Sequence, residues 1–160
     1  MSVAHRIPML LCACLLAAPA YARVGEAEVR EGPRGGPCFT ITPREERLGT
    51  PEFQSIVVWE GAHPVWKMAM PKERTFLLTF GMCVPYGGRV ASLPRTTPAR
   101  LEPGRVYSLR IEARPGKGRA ASSYEARFCL ARQPDGTAIV HQIWNGDREG
   151  ARLYGCLPPD

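Results

Sequence analysis

Four cysteines beyond the first 22 residues constrain the fold of this chain more than any other feature of its sequence. Those first residues resemble an export signal, so the rest of the chain is expected to fold in an oxidising compartment. An even number of cysteines there predicts two disulfide bonds. Zinc would favour a short spacing between ligands, and a catalytic thiol would leave one cysteine unpaired, so neither is expected. The four are Cys38, Cys83, Cys129 and Cys156.

Residues 1–22 are predicted to be a cleaved signal peptide. They combine a polar start, an apolar run over 7–18 and the small-x-small cleavage sequence Ala20-Tyr21-Ala22. The apolar run is too short to span a bilayer comfortably, and no second run follows. The sequence therefore predicts no transmembrane segment.

A lipid anchor at Cys14 is the alternative. Leu11-Cys12-Ala13-Cys14 resembles a lipoprotein box, in which the last cysteine is lipidated and tethers the protein to a membrane. However, Cys12 is an unusual residue two places before the acceptor, and the apolar run continues where a lipoprotein would turn polar. Cleavage after Ala22 is therefore favoured.

The remaining chain has the length and charge of one small basic domain. Removing 22 of 160 residues leaves 138, enough for one hydrophobic core. Residues 23–37 are rich in charge, glycine and proline and are predicted to be a flexible linker, which leaves 38–160 as the domain. The net charge of the whole chain is +6. Because the basic residues are scattered, nucleic-acid binding is not predicted.

Eight short segments rich in β-branched and aromatic residues follow, bounded by glycine, proline and aspartate. This pattern is typical of a sandwich or a barrel, and beyond the leader no window of useful length keeps a helical apolar period. The sequence therefore predicts an all-β domain with antiparallel strands. The segments are 38–42, 53–60, 65–70, 75–83, 106–113, 122–132, 137–145 and 152–157.

Two of these segments alternate clearly between apolar and polar residues, as half-buried strands do. The turn sequence Pro134-Asp135-Gly136 follows the second of them, so 122–145 is predicted to be a hairpin. The residues predicted to face the core are Tyr107, Leu109, Ile111 and Ala113, then Tyr124, Ala126, Phe128 and Leu130.

The phase of the strands also bears on the cysteine pairing. Cys129 lies on the face opposite the predicted core, so its partner has to cross or flank that face, as Cys156 near the C-terminus could. Cys38 opens the first predicted strand and Cys83 closes the fourth. Of the three pairings that four cysteines allow, we favour Cys38 with Cys83 and Cys129 with Cys156.

Candidate catalytic residues are few. After the leader the chain has two histidines, His63 and His141, and neither lies in a catalytic or metal-binding motif. The tryptophans Trp59, Trp66 and Trp144 could form a platform for a sugar or a protein, although packing is their more common role on strands. We therefore predict a protein that is not an enzyme and uses no cofactor or metal.

The connection over 86–105 is the strongest candidate for a binding loop. Connections of this length are usually functional or contain a short strand, and a strand over 90–93 is the plainer alternative. Its prolines stiffen it, which reduces the entropy lost when a partner binds. The candidate partner-binding residues are Tyr86, Arg89, Arg95, Arg100 and Arg105.

Three short motifs resemble a known family. They are CFTI at 38–41, GMCVP at 81–85 and LEPGRVY at 101–107, the last followed by an alternating strand. With these motifs the chain, over 38–143, resembles the type VI secretion immunity periplasmic lipoproteins of Gram-negative bacteria.

The resemblance implies an antiparallel immunoglobulin-like β-sandwich of about seven to eight strands, located in the periplasm. It implies a protein partner, a secreted toxin that the chain would occlude without catalytic residues of its own. The family's paired cysteines fall on Cys38 and Cys83, which supports that disulfide bond. The chain differs from the family in lacking a clean lipoprotein box, in a longer loop after Cys83, and in adding Cys129 and Cys156. The alternative function is a general envelope protein that recognises cell-wall or outer-membrane components.

Overall fold

The computed structural model describes residues 23–88, 97–144 and 156, which form nine strands and one short helix. The all-β class is thus confirmed. The predicted leader with Cys14, the arginines Arg89 and Arg95, and all of the last predicted strand except Cys156 lie outside the described residues. The elements are β1 (Val24–Glu31), β2 (Pro37–Ile41), α1 (Pro43–Leu48), β3 (Glu52–Glu60), β4 (His63–Ala69), β5 (Phe76–Leu77), β6 (Val84–Pro85), β7 (Val106–Arg114), β8 (Ser123–Arg132) and β9 (Ala138–Ile143).

The strands form one curled mixed sheet in the order β4-β3-β7-β8-β1-β2-β6, with β5 beside β3 and β9 beside β8. The prediction of purely antiparallel strands is wrong for β1 and β8, which run parallel, with Val24 beside Ser123 and Glu26 beside Glu125. A tight turn makes consecutive strands antiparallel. Because β1 and β8 lie far apart in the sequence, no turn sets their relative direction.

The predicted flexible linker over 23–37 is also wrong, because its first half forms β1 between β8 and β2. Gly25, Ala27 and Val29 are buried and alternate with half-buried charged residues, which is the period of a strand. A Cβ on Gly25 would lie 2.5 Å from the Tyr124 ring. The strand therefore needs glycine at position 25, and together with its charged residues this gives it the composition of a linker.

The sequence predicts no helix, yet the six residues of α1 follow β2. The Thr42 hydroxyl caps the helix by accepting a 3.3 Å hydrogen bond from the Glu45 backbone N–H, and Pro43 begins the first turn. Glu45 is buried, and its carboxylate lies 2.8 Å from the Arg23 guanidinium. A helix this short shows no apolar period, so only its cap indicates it. Across the described parts of the chain, no helix is long and apolar enough to cross a membrane.

The core lies where the two ends of the curled sheet meet. Phe39 of β2 packs against Trp66 of β4 and Phe128 of β8, with ring centroids 6.2 and 5.6 Å apart. All three rings are buried. The predicted inward residues of β7 are all buried, whereas in β8 two are buried and two are half-buried.

Strands β8 and β9 form the predicted hairpin. Its turn is closed by a 2.8 Å hydrogen bond from the Gln133 N–H to the Thr137 carbonyl. The Asp135 carboxylate accepts hydrogen bonds from the Thr137 hydroxyl at 2.6 Å and the Thr137 N–H at 2.9 Å, and these bonds lower the pKa of Asp135. The turn chemistry predicted for this segment is therefore confirmed.

Gln142 of β9 fills a gap in the hydrogen bonding of β1. Only the first part of β1 pairs with β8, and farther along β9 takes the same edge of β8. The Val29 N–H donates to Gln142 Oε1 at 2.6 Å, and Gln142 Nε2 donates to the Ala27 carbonyl at 3.0 Å. The side-chain amide thus replaces the peptide group of a neighbouring strand and satisfies two backbone groups of β1.

Both favoured disulfide bonds are present. Cys38 of β2 is bonded to Cys83, which directly precedes β6, with Cα atoms 5.5 Å apart. Cys129 of β8 is bonded to Cys156, with Cα atoms 5.7 Å apart. One bond therefore joins β2 to the neighbouring edge of the sheet, and the other joins β8 to the C-terminal part of the chain.

The fourth predicted strand, 75–83, is wrong except for the two residues of β5. A turn follows β5, with a 3.0 Å hydrogen bond from the Met82 N–H to the Thr79 carbonyl. The Phe80 N–H donates to the Glu46 carboxylate at 2.9 Å instead of to a neighbouring strand. The chain crosses here from β3, which pairs with β5, to β2, which pairs with β6.

Candidate functional site

The outer face of β3, β7 and β8 carries three side chains aligned in a row across the strands. The strand pairing places Trp59 beside Ser108, and Ser108 beside Arg127. A residue next to each of them in its strand is buried in the core. Because side chains alternate along a strand, these three point away from the core.

This row forms an open groove of about 430 Å³ on the outer face. Ser108, with the smallest side chain, forms the floor, and Trp59 and Arg127 form the two walls. Neighbouring strands lie about 4.8 Å apart, so the backbones that carry the walls are roughly 10 Å apart. Gly61 and Ala62, in the turn between β3 and β4, also line the groove.

The two arginines that line the groove differ in their ion pairs. The Arg110 guanidinium lies 2.6 Å from the Glu112 carboxylate and 3.5 Å from the Glu125 carboxylate, so its charge is balanced. Arg127 is exposed and has no ion-pair partner among the residues that the structure describes. Within the described parts of the chain, Arg127 is therefore the arginine of the groove whose charge no carboxylate balances.

A small apolar cluster lies beside the groove, about 7 Å farther along β7 and β8. It consists of Cys129, Ile143 and Cys156, with Val106 packed against them. The bond between Cys129 and Cys156 holds Cys156 against this outer face. This placement confirms that the partner of Cys129 lies on the side opposite the main core.

Tyr86, a predicted partner-binding residue, packs within the chain beside β4. The centroids of its ring and the Trp66 ring are 5.2 Å apart. Its hydroxyl lies within hydrogen-bond distance of the Val65 carbonyl, at 3.3 Å, and the Ala99 carbonyl, at 2.9 Å. The Ala99 N–H also donates to the Val65 carbonyl at 3.0 Å. Tyr86 therefore fixes the end of the 86–105 connection against β4.

The described arginines of that connection do not line the groove. Arg100 is exposed. Arg105 lies 3.0 Å from the Glu60 carboxylate and 3.6 Å from the Glu102 carboxylate, so it is engaged within the chain. The connection as a whole stays a predicted binding element, since Arg89 and Arg95 lie outside the described residues.

Burial, and secondarily the negative charge that Tyr107 would carry, raises the pKa of Tyr86 from 10.0 to about 12. Between these values the unfolded chain releases the phenol proton while the folded chain keeps it. The stabilising contribution of Tyr86 is therefore complete below about pH 10 and is lost as the pH rises towards 12.

Replacing Tyr86 with phenylalanine is expected to make stability less dependent on alkaline pH. The measurement is the free energy of unfolding in urea at several pH values between 8 and 11. At pH 8 the variant should lose about 1 kcal/mol with the hydroxyl, and above pH 10 its stability should fall less steeply than that of the parent. If the free energy of unfolding falls equally steeply with pH in the variant and the parent, the raised pKa of Tyr86 is contradicted. Burial also raises the pKa of Tyr107 and Tyr124, so some pH dependence should persist.

The three tryptophans have different environments. Trp66 is buried in the core and Trp144 is 42% exposed beyond β9, while Trp59 lines the groove. The sequence indicates Trp59 as a possible platform but gives no sign that Ser108 and Arg127 belong to the same site. The polar phase of Ser108 and Arg127 along their strands can be read from the sequence. The register that aligns them with Trp59 cannot, because the pairing of β3 with both neighbouring strands contains shifts.

A second groove of about 220 Å³ lies beside the bond between Cys38 and Cys83. Its lining is mostly apolar and includes Met68 and the exposed Met82, with Arg34 as its charged residue. It offers apolar contact area but few groups that would select a partner. The groove at Trp59 is therefore the stronger candidate site.

Neither metal ligands nor known relatives add to the definition of the site. Within 23–88, 97–144 and 156, no three histidine, cysteine or carboxylate side chains are grouped so that they could hold a metal ion. Comparisons of the chain with protein-family models, curated proteins and solved structures found no match. The groove's own residues thus have to indicate what it binds.

Proposed function

We propose that this chain is a small exported binding protein, without catalytic activity, that neutralises a secreted toxin by occluding it. The observation that supports the proposal is the open groove between Trp59 and Arg127. Tryptophan and arginine are among the residues that most often dominate the binding energy of protein interfaces. Here they project from long paired strands, so little backbone entropy is lost when a partner binds.

The proposal includes an immunoglobulin-like sandwich, in which β1, β2 and β6 form one layer over the layer of β3, β4, β7 and β8. Its support is the contact of Phe39 in β2 with Trp66 in β4, two strands from opposite parts of the sheet order. In a sandwich the inner faces of two layers interdigitate in this way.

We place the protein in the periplasm of a Gram-negative bacterium, exported by the signal peptide at 1–22. There it would protect against a toxin delivered by type VI secretion. The two disulfide bonds support an oxidising compartment. Cleavage after Ala22 is preferred to a lipid anchor at Cys14.

A second candidate function is the recognition of an envelope glycan. The Ser108 hydroxyl and the paired Arg110 and Glu125, close to the Trp59 ring, favour it. Sugars present hydroxyls to polar groups and an apolar face to aromatic rings. A toxin or secretion gene beside this gene would favour neutralisation, whereas an envelope-biogenesis operon would favour glycan recognition.

Deleting the gene in its host is expected to lower survival in competition with sister cells that deliver toxins by type VI secretion. The parent gene on a plasmid should restore survival, and an attacker without a functional secretion apparatus should show no advantage. Equal survival of the deletion strain and the parent strain would contradict the proposed function.

Replacing Trp59 with alanine is expected to abolish this rescue, because removing a central interface tryptophan weakens binding about 30-fold or more. The matched control is Trp144→Ala, which removes another surface tryptophan that does not line the groove. Equal amounts of folded protein in the periplasm have to be verified for both variants. Full protection by Trp59→Ala would exclude the groove as the binding site.

A further inference from the structure

We infer that the partner presents an acidic side chain to Arg127, with an apolar surface beside it that covers Trp59. This inference rests on the proposed function and specifies the chemistry of the partner. The occupant of the groove is a protruding acidic segment of a protein.

The partner is expected to present a negative charge, because the two arginines that line the groove differ in their ion pairs. Arg110 already has two carboxylates within ion-pair distance. Arg127 has no ion-pair partner in the described part of the chain, and the residue beside it on β9 is the buried Ile143. A guanidinium offers five N–H donors and binds a carboxylate through two parallel hydrogen bonds. A carboxylate on the partner is therefore the group that complements this part of the groove.

The surroundings of Arg127 strengthen such a contact. Trp59 lies across the groove, and the apolar cluster with Cys129 and Cys156 lies beside it. That cluster is already buried within the chain, so the apolar group that a partner can cover is the half-buried Trp59. Covering it excludes water from one side of the ion pair, and electrostatic attraction is stronger where water is excluded. The same contact buries apolar area, which adds affinity independent of charge.

The shape of the groove favours a protein segment over a small molecule. Small-molecule sites are usually concave enough to bury most of the ligand surface. This groove is open along the outer face of the sheet, and Ser108 gives it a shallow floor. The tip of a loop can occupy it while the rest of the partner contacts the surrounding strands.

The test uses two peptides that differ only in charge, acetyl-Leu-Glu-Leu-amide and acetyl-Leu-Gln-Leu-amide. They are titrated into ¹⁵N-labelled protein while the Trp59 indole N–H and the Arg127 Nε–H are followed by NMR. The glutamate peptide should shift both signals and bind about fivefold more tightly than the glutamine peptide. Arg127→Gln should remove this preference, whereas Arg132→Gln, an exposed arginine on the same strand outside the groove, should preserve it.

Three results would overturn the inference: equal binding of the two peptides, a preference that survives Arg127→Gln, or no shift at either signal. Methyl glucuronide tests the other source of a carboxylate. Tighter binding of this sugar than of the glutamate peptide at the same signals would assign the groove to an acidic glycan and also overturn the inference.

The experiments separate this inference from the proposed function. If the peptides bind as expected but deletion of the gene leaves survival unchanged, the carboxylate site stands and toxin neutralisation fails. If Trp59→Ala loses protection but Arg127→Gln protects fully, the proposed function stands and the acidic contact fails.

Discussion

Replacing Phe39 with alanine is expected to lower the free energy of unfolding by about 3 to 5 kcal/mol. The Phe39 ring is buried and contacts Trp66, Tyr86 and Phe128, with centroids 6.2, 6.4 and 5.6 Å away. Because these neighbours come from distant segments of the sheet, they cannot all move to fill the space that the ring leaves. Urea denaturation monitored by tryptophan fluorescence measures the loss.

Two control variants separate cavity formation from other effects. Phe39→Leu keeps most of the apolar volume and should lose clearly less than the alanine variant. Leu77→Ala removes a side chain that is 55% exposed and should cost less than about 1 kcal/mol. A loss below about 1.5 kcal/mol for Phe39→Ala would show that Phe39 does not hold the two ends of the sheet together.

Removing the bond between Cys38 and Cys83 with a double alanine substitution is expected to cost about 4 kcal/mol. The two cysteines are 45 residues apart, and a crosslink over that distance restricts the unfolded chain by about this amount. Cys38 is also fully buried, so the loss of its sulfur removes packing in the core. The measurement is the free energy of unfolding of the double variant under oxidising conditions.

The second disulfide bond provides the comparison. Replacing Cys129 and Cys156 with alanine opens a shorter loop, of 27 residues, with an expected entropic cost of about 3.5 kcal/mol. Reducing both bonds of the parent protein with dithiothreitol should cost more than either double variant alone. If replacing Cys38 and Cys83 lowers the free energy of unfolding by less than about 1 kcal/mol, this bond does not restrict the unfolded chain as expected.

Local patterns in the sequence predicted the parts of the fold that depend on neighbouring residues. The alternation in β7, the hairpin of β8 and β9 with its turn at Asp135, and the pairing of Cys129 with Cys156 all follow from strand phase or turn chemistry. The sequence could not show the direction of β1 or the crossing between β5 and β6, because both depend on contacts between distant segments. The charged, glycine-containing β1 also lacks the bulky residues by which strands are recognised.

The candidate site was predictable only in its components. Arg127 lies in polar phase on a predicted strand, and that phase is readable from the neighbouring apolar residues. The phase of Trp59 is not readable, because 57–59 is apolar throughout and the register shifts between Phe53 and Ser55. The alignment of Trp59 with Arg127 through Ser108 depends on the register of three strands, and a shift of one residue would send one of them to the other face. The predicted loop was selected by length and composition, which do not show that the Tyr86 hydroxyl is used within the protein.

The amide bridge of Gln142 affects when this protein can fold. Val29 and Gln142 are 113 residues apart, so β1 obtains these hydrogen bonds only after nearly all of the domain has been synthesised. Contacts between distant residues require loop closure before they contribute free energy, and chains rich in them fold slowly. The chain should therefore stay unfolded until β9 is free to pair, and folding should then join β1 and β9 in one cooperative step.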